Sequence, residues 1–320
     1  MFFTEVNIPN SSEEIKYSDK IMTLGSCFAE NIGKKMSDSF FQTDINPFGV
    51  LYNPVSVLQS LDLLMSEKQV EEKDLFQYQS LWHSFNHSSL FSDESIESTL
   101  VKINNRLNSS RQFFKSTQIL LITFGTAWVF EDVESGKIVA NCHKLPANRF
   151  RRYRLDFQQI IDEYNPMLRL LKEQIPSLQL IFTVSPIRHW KDGAHENTVS
   201  KSTLHLSVDA LEKRFDFVHY FPAYEIMMDE LRDYRFYDSD MLHPSAVAVN
   251  YIWQRFSDTY FSAETQKLNK ELEQIRNDLN HRPLHSKSAE YQLFILNIEK
   301  RKAKIKALYP DFGNLFDEVR

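Results

Sequence analysis

Ser26, in the run Gly25-Ser26-Cys27-Phe28-Ala29, and the pair Asp240 and His243, in Asp240-Met241-Leu242-His243-Pro244, are the residues whose types and spacing point most directly to a reaction. A serine hydroxyl is a poor nucleophile near neutral pH. It needs an imidazole to take its proton and a carboxylate to orient that imidazole. At a spacing of three in one turn, Asp240 can reach the ring nitrogen of His243 that faces away from the serine, and Pro244 is expected to open the next helix. The chemistry is acyl transfer through an acyl-serine: Ser26 attacks an ester carbonyl, His243 acts as base and then acid, and Asp240 orients it. Each half also has a plain structural reading, since serine is a favoured helix cap and an Asp/His pair ahead of a helix can serve as one.

The elements that must position these residues follow from apolar spacing. A buried strand over 21–24 ends at Leu24, Gly25 allows a tight turn, and residues 26–36 carry Phe28, Ala29, Ile32 and Met36 at helical spacing. Ser26 thus stands at a helix N-terminus, where free N–H groups and the positive dipole end favour an alkoxide or an oxyanion. Cys27 is the rival nucleophile. It lies one helical step of about 100° further round and is expected to face the core. Further strands are expected at 41–44, 118–124, 178–184 and 215–220, with 118–124 and 178–184 central because they are almost uniformly apolar. Helices are expected at 54–65, 93–115, 156–175, 198–213, 222–232 and 244–259, and a hairpin around Glu134-Ser135-Gly136-Lys137. This alternation implies an α/β fold with a parallel sheet covered on both faces. In such a sheet the segments at Ser26, Gly49, Gly125, Ser185 and Asp240–His243 all fall beyond strand carboxyl ends, where ligands bind. Residues 263–281 and 287–308 read as a helical hairpin joined at Arg282-Pro283, with Leu268, Leu272, Ile275 and Leu279 on one stripe and Phe294, Ile298 and Ile305 on the other.

Blocks beyond the two already quoted are Asn46-Pro47-Phe48-Gly49, Phe124-Gly125-Thr126-Ala127-Trp128-Val129-Phe130, Asn141-Cys142-His143-Lys144 and the stretch from Ser185 to His195. In this order, from about residue 20 to 250, they resemble the GSCFA-domain proteins, a family grouped with the SGNH/GDSL-type hydrolases. The resemblance implies a flavodoxin-like three-layer α/β/α fold with a central parallel sheet of about five strands, here over 1–260, followed by a C-terminal helical extension over 261–320 packed on it. It implies the triad Ser26, His243 and Asp240, and an oxyanion held by the backbone N–H groups of Ser26 and Gly49. The family-wide Gly-x-Asn-Asp appears here as Gly125-Thr126-Ala127-Trp128, without an amide side chain. Thr126, Asn46 and Asn141 are the candidates for a third donor, with Asn141 favoured, and His143 joins the substrate-facing set.

The segment from Arg188 to His205 carries unusual polar functionality for a strand-to-helix connection and reads as a binding loop. Arg188, His189, Lys191 and Asp192 are its substrate candidates: Arg188 and Lys191 suit a carboxylate, a phosphate or sugar hydroxyls, and Trp190 offers a face to a sugar ring. A competing site is metal-binding, with His83 and His87 at i and i+4 joined by Cys142 or His143. Neither Cys-x-x-Cys nor His-Glu-x-x-His accompanies it, so neither metal nor cofactor is expected.

The 320 residues suit a single main unit, and 25 Phe and 13 Tyr supply a core without disulfides. Two cysteines fit a reducing compartment, and the opening Met1-Phe2-Phe3-Thr4-Glu5-Val6 lacks the pattern of a secretory leader, so a cytoplasmic location is expected. A net charge of −6 argues against a nucleic-acid partner, and the lack of a long apolar run argues against a membrane span. The expected partner is a small-molecule or glycan ester, with an O-acyl or O-acetyl group as the target. An O-acyltransferase using the same triad, and a non-catalytic ligand-binding protein on the same fold, are the alternatives.

Overall fold

The computed structural model describes residues 4–9, 14–280 and 287–309. The expected junction at Arg282-Pro283 lies outside them.

Five strands form the central sheet: β1 (Lys20–Gly25), β2 (Gln42–Ile45), β5 (Ile119–Phe124), β9 (Gln179–Val184) and β10 (Val218–Tyr220). Their order is β10-β9-β5-β1-β2 and every pairing is parallel. This is the doubly wound order in which the chain reverses direction between β1 and β5, and the crevice beyond that pair is where such sheets take ligands. β1 and β5 pair Ile21 with Ile119 and Gly25 with Thr123, so the Ser26 corner is held against the end of β5. The expected strand at 215–220 is cut to three residues.

Alternation along the strands sorts two cores. Met22, Leu24, Leu120, Ile122, Phe124, Leu180 and Phe182 face α2 (Pro54–Met65), α3 (Ile96–Phe114), α4 (Phe157–Gln174) and α5 (Gly193–Arg214). Ile21, Ile119, Leu121 and Ile181 face α1 (Cys27–Asp38) and α7 (Ala246–Tyr260), and this second core continues into α8 (Ala263–Leu279) and α9 (Ala289–Leu308) through Leu268, Leu272, Ile275, Ile298 and Ile305. Both stripes of the tail are therefore spent on this chain. Each buried aliphatic side chain contributes about 1.5–3 kcal/mol. Caps set the helix starts: Asn53 before α2, with Pro54 at its first position, and Asp156 before α4.

Four local readings are corrected. The segment expected as a helix at 222–232 is a short turn, α6 (Ala223–Glu225), followed by a π-helical turn over Ile226–Glu230, closed by Leu231 N donating to Ile226 O at 3.0 Å. α5 starts at Gly193 after a tight turn at Trp190–Asp192, so His195, Asn197, Ser200, Lys201 and His205 lie on a helix and not in a long loop. Pro244 does not open a helix: it bridges to Tyr237, and Ser245 caps α7. His83 and His87 share no helix, since His83 lies on β4 (Leu81–Ser84), which pairs with β3 (Leu75–Tyr78), and His87 lies in the turn beyond.

Off the end of β5 hangs a second sheet, β7-β6-β8, made of β6 (Trp128–Asp132), β7 (Ile138–Val139) and β8 (Phe150–Arg154), antiparallel throughout. The hairpin expected at Gly136 is its β6–β7 pair. The basic run Arg149–Arg154 is mostly its third strand. Among the described residues, no helix is long and apolar enough to cross a membrane.

Candidate active site

Ser26 caps α1. It is almost fully buried, its backbone N–H donates to Thr123 O at 3.1 Å, and its Oγ accepts from Phe28 N at 3.3 Å. The corner is tied from three sides, because Gly25 N donates to Asn46 Oδ1 at 2.9 Å and Leu51 N donates to Gly25 O at 2.8 Å. Gly25 sits at φ +130°, which a side chain would strain.

Cys27, expected in the core, is instead half-buried and lines a cavity of about 470 Å³ at the switch point. Burial raises its thiol pKa, which lowers its thiolate fraction and weakens it as a nucleophile. Around the cavity stand Tyr52, Thr126, Trp128, Phe130, Asn141, Cys142, Arg152, Arg188, His189, Trp190, Lys191 and His243.

His243 and Asp240 meet as their spacing implies. Nδ1 of His243 lies 2.5 Å from Asp240 Oδ2, and Asp240 Oδ1 accepts from the backbone N–H groups of Leu242 and His243, each at 2.9 Å. Those N–H groups, His243's first, hold the Asp240 carboxyl down to about 2. A carboxylate kept ionised against an imidazole N–H is what orients a general base. Both side chains are about half exposed, and no hydrogen bond joins His243 to Ser26 among the described residues.

The expected oxyanion donors are already engaged. The Ser26 N–H is bonded to Thr123 O as above, and Gly49, at φ +82°, donates its N–H to Asn46 O at 2.8 Å. A Cβ on Gly49 would meet Ser88 Oγ at 2.3 Å, so this glycine is needed for close packing under the corner. Of the candidate third donors, Thr126 Oγ1 is bonded to Ser200 Oγ at 3.1 Å and accepts from Trp128 N at 3.1 Å. Asn141 lines the cavity, and its Oδ1 accepts from His143 N at 2.9 Å, a bond that leaves its amide N–H₂ to donate. Asn46 is arranged alike but deeper: its Oδ1 holds Gly25, and its Nδ2 is a buried donor without a partner.

His143 is not a cavity residue. It is buried, with Nε2 on Ser84 O at 2.8 Å and Nδ1 on Ser89 Oγ at 3.2 Å, and its ring lies tilted against that of His83 at 4.4 Å. His83 and His87 are likewise bonded to Ser92 and Ser84. These three rings fill a polar part of the core, and among the described residues no group of His, Cys, Asp and Glu is set to hold a metal.

His189 closes the cavity floor beside Gly125, where a Cβ would stand 3.3 Å from its Nε2. Burial pushes this imidazole down to about 4, aided by the positive charge of Lys201, and leaves Nε2 without a partner. Gly125 N donates to Tyr52 O at 2.8 Å. Arg188 lies over the Trp190 ring at 5.2 Å, Lys191 over Phe130 at 4.6 Å, and Arg152 over Trp128 at 4.7 Å. Asp192 does not line the cavity. It pairs with Arg152 from behind.

Sequence reasoning missed Tyr52, Arg152 and Lys201. Lys201 is fully buried and donates from Nζ to Gly125 O at 2.7 Å and Ser185 O at 2.6 Å, joining the chain exits of β5 and β9. Burial pushes its pKa down to about 7. A signal was present: Lys201 falls on the same helical stripe as Leu204, Val208 and Leu211, where a charge needs a reason.

No curated protein matches the chain. Solved structures to which the chain is similar include a protein described as an acylhydrolase from Bacteroides fragilis NCTC 9343 (10% identity, 81% of this chain and 91% of that one, TM-score 0.39). Another is the acetyl xylan esterase Est2A from Butyrivibrio proteoclasticus (12%, 76% and 64%, TM-score 0.36). A third is a carbohydrate esterase family 2 enzyme with a carbohydrate-binding domain, described from Corynascus thermopiles (Myceliophthora fergusii) (10%, 78% and 67%, TM-score 0.38). Likenesses this distant say nothing of what this chain acts on. Sequence patterns are more direct: the GSCFA family pattern matches residues 20–256, and that of the GSCFA domain protein C-terminal domain matches residues 272–320. The first spans the corner, all three sheets and the Asp240–His243 loop, and the chain belongs to the GSCFA family.

Proposed function

We propose that this protein is a serine-type hydrolase acting on an O-acyl ester, with Ser26 as nucleophile, His243 as general base and acid, and Asp240 as the orienting carboxylate. The observation that carries the reading is the Asp240–His243 bond, set on a cavity that the first turn of α1 also lines.

In the attack, Ser26 Oγ exchanges its bond from Phe28 N–H for one to the free Nε2 of His243, since catalytic hydrogen bonds commonly tighten only with substrate bound. The Oγ proton passes to His243 as the O–C bond forms. His243 then returns that proton to the departing alcohol, leaving an acyl-serine. Water, deprotonated by His243, attacks the acyl carbon and releases the acid and Ser26. Asn46 Nδ2 is the donor we assign to the developing oxyanion, being buried, uncommitted and fixed to the corner through Gly25. An alcohol in place of water would make the same machinery an acyltransferase.

A second reading is a non-catalytic binding protein, favoured by the capping bond of Ser26 Oγ. A serine-reactive fluorophosphonate, located by peptide mass mapping, separates the two. Labelling of Ser26 that disappears in Ser26→Ala supports the hydrolase, and labelling at Cys27 or nowhere overturns it.

A further inference from the structure

We infer that the substrate of this cavity carries an anionic group, a carboxylate or a phosphate, held by Arg188 and Lys191. That the substrate is an ester rests on the proposed function; that it is anionic rests on the cavity alone.

Three cations, Arg152, Arg188 and Lys191, line the cavity, and no Asp or Glu does. This is the reverse of what the chain's net charge of −6 would produce by chance. Three nearby carboxylates are already used, and Glu30, whose charge reaches Cys27 and Tyr52, does not line the cavity. Asp192 takes Arg152, Glu196 takes Arg154 at 2.6 Å, and Asp240 takes His243. Arg188 and Lys191 have neither an ion pair nor a hydrogen bond among the described residues, and Nε of Arg188 is buried without a partner. An unpartnered buried guanidinium N–H is costly, and in a binding site the ligand is its natural acceptor.

The aromatic residues explain how such a cluster is tolerated. Trp190 lies under Arg188 and Phe130 under Lys191, so each cation is held over a ring without its charge being neutralised. Trp190, whose ring offers a face to a sugar, carries the Arg188 guanidinium over it. Lys201 beneath the floor adds to the same potential. A guanidinium fork beside an ammonium suits the planar or tetrahedral oxygens of a carboxylate or a phosphate.

The test is calorimetric titration of the full chain, at fixed ionic strength, with D-glucuronate, glucose 6-phosphate and D-glucose. At least one anionic sugar is expected to bind tenfold or more tightly than glucose, with the better of the two identifying the anion. Arg188→Gln and Lys191→Gln are each expected to weaken that binding about tenfold, and Arg188→Lys to recover part of it. Lys191 is exposed, so its variant reports even if Arg188→Gln misfolds. Glucose binding as tightly as both anions, or the Lys191→Gln and folded Arg188 variants binding like the parent, overturns the inference. Anion binding by a protein that neither labels with fluorophosphonate nor hydrolyses p-nitrophenyl acetate would remove the esterase reading and leave the anion site standing.

Discussion

Gly25→Ala is the sharpest test of the corner that presents Ser26. A Cβ there would lie 2.2 Å from Thr123 O and 2.9 Å from both Thr123 C and Thr123 N, all backbone atoms of the central strand β5. Contacts between such atoms are comfortable only near 3.5 Å, so the β1–β5 exit must open by roughly 1 Å. That movement breaks or lengthens two bonds, Ser26 N to Thr123 O and Gly25 N to Asn46 Oδ1, at about 1 kcal/mol each. The positive φ adds about 1–3 kcal/mol of strain. The expected loss is about 3–5 kcal/mol, read by urea unfolding followed by far-UV circular dichroism. Gly136→Ala is the control, because Gly136 also has positive φ (+65°) but nothing within 4 Å of its added Cβ. It should cost about 1 kcal/mol, strain partly offset by the stiffer unfolded chain. A Gly25→Ala protein within 1 kcal/mol of the Gly136→Ala protein would refute the argument that close backbone approach at this corner fixes Ser26.

His243→Ala and Asp240→Asn should each lower kcat for p-nitrophenyl acetate by about 10³–10⁴ with circular dichroism unchanged, the Asn because its amide N–H₂ faces Nδ1 and imposes the wrong tautomer. Lys201→Met should destabilise the protein by about 2–3 kcal/mol in the same unfolding assay, since two buried carbonyls lose their donor. Tyr164→Phe, which removes the bond from its hydroxyl to Pro54 O at 2.8 Å, should cost about 1–2 kcal/mol. Burial holds His87 down to about 3 and His189 to about 4, whereas both titrate near 6.5 when unfolded. Their contribution is complete above about pH 6.5 and is lost as the unfolded chain takes up protons below it, so thermal midpoints should fall between pH 6.5 and 4, less steeply in His87→Gln.

The parallel sheet and its two helical layers were legible because β5 and β9 are almost uniformly apolar and the helices carry clean stripes and caps. The Asp240–His243 bond was legible because Asp-x-x-His needs only a tight turn to close on itself. What escaped were features without a local period. The β3–β4 hairpin turns on Gln79 and Ser80, both at positive φ, with neither glycine nor asparagine to mark it. Cys27 was misplaced because α1 begins at that residue, so its first turn has no preceding helix to cover it. The sequence left three candidates for the third oxyanion donor because a family pattern names residues and not the bonds their N–H groups already make: Gly49 donates its own to Asn46 O, and Asn46 keeps an amide without a partner.

The three-stranded sheet on the far side of the cavity divides labour within the protein. Trp128, Phe130 and Arg152 come from that annex, while Ser26 comes from the central sheet and His243 from a loop ahead of α7. On the proposed function, the aromatic wall of the cavity and the residues that break the bond thus belong to different parts of the architecture, while Arg188 and Lys191 follow β9 of the central sheet. A foreign hairpin grafted at β6–β8 is expected to reshape the wall of the pocket while Ser26 and His243 keep their places on other elements.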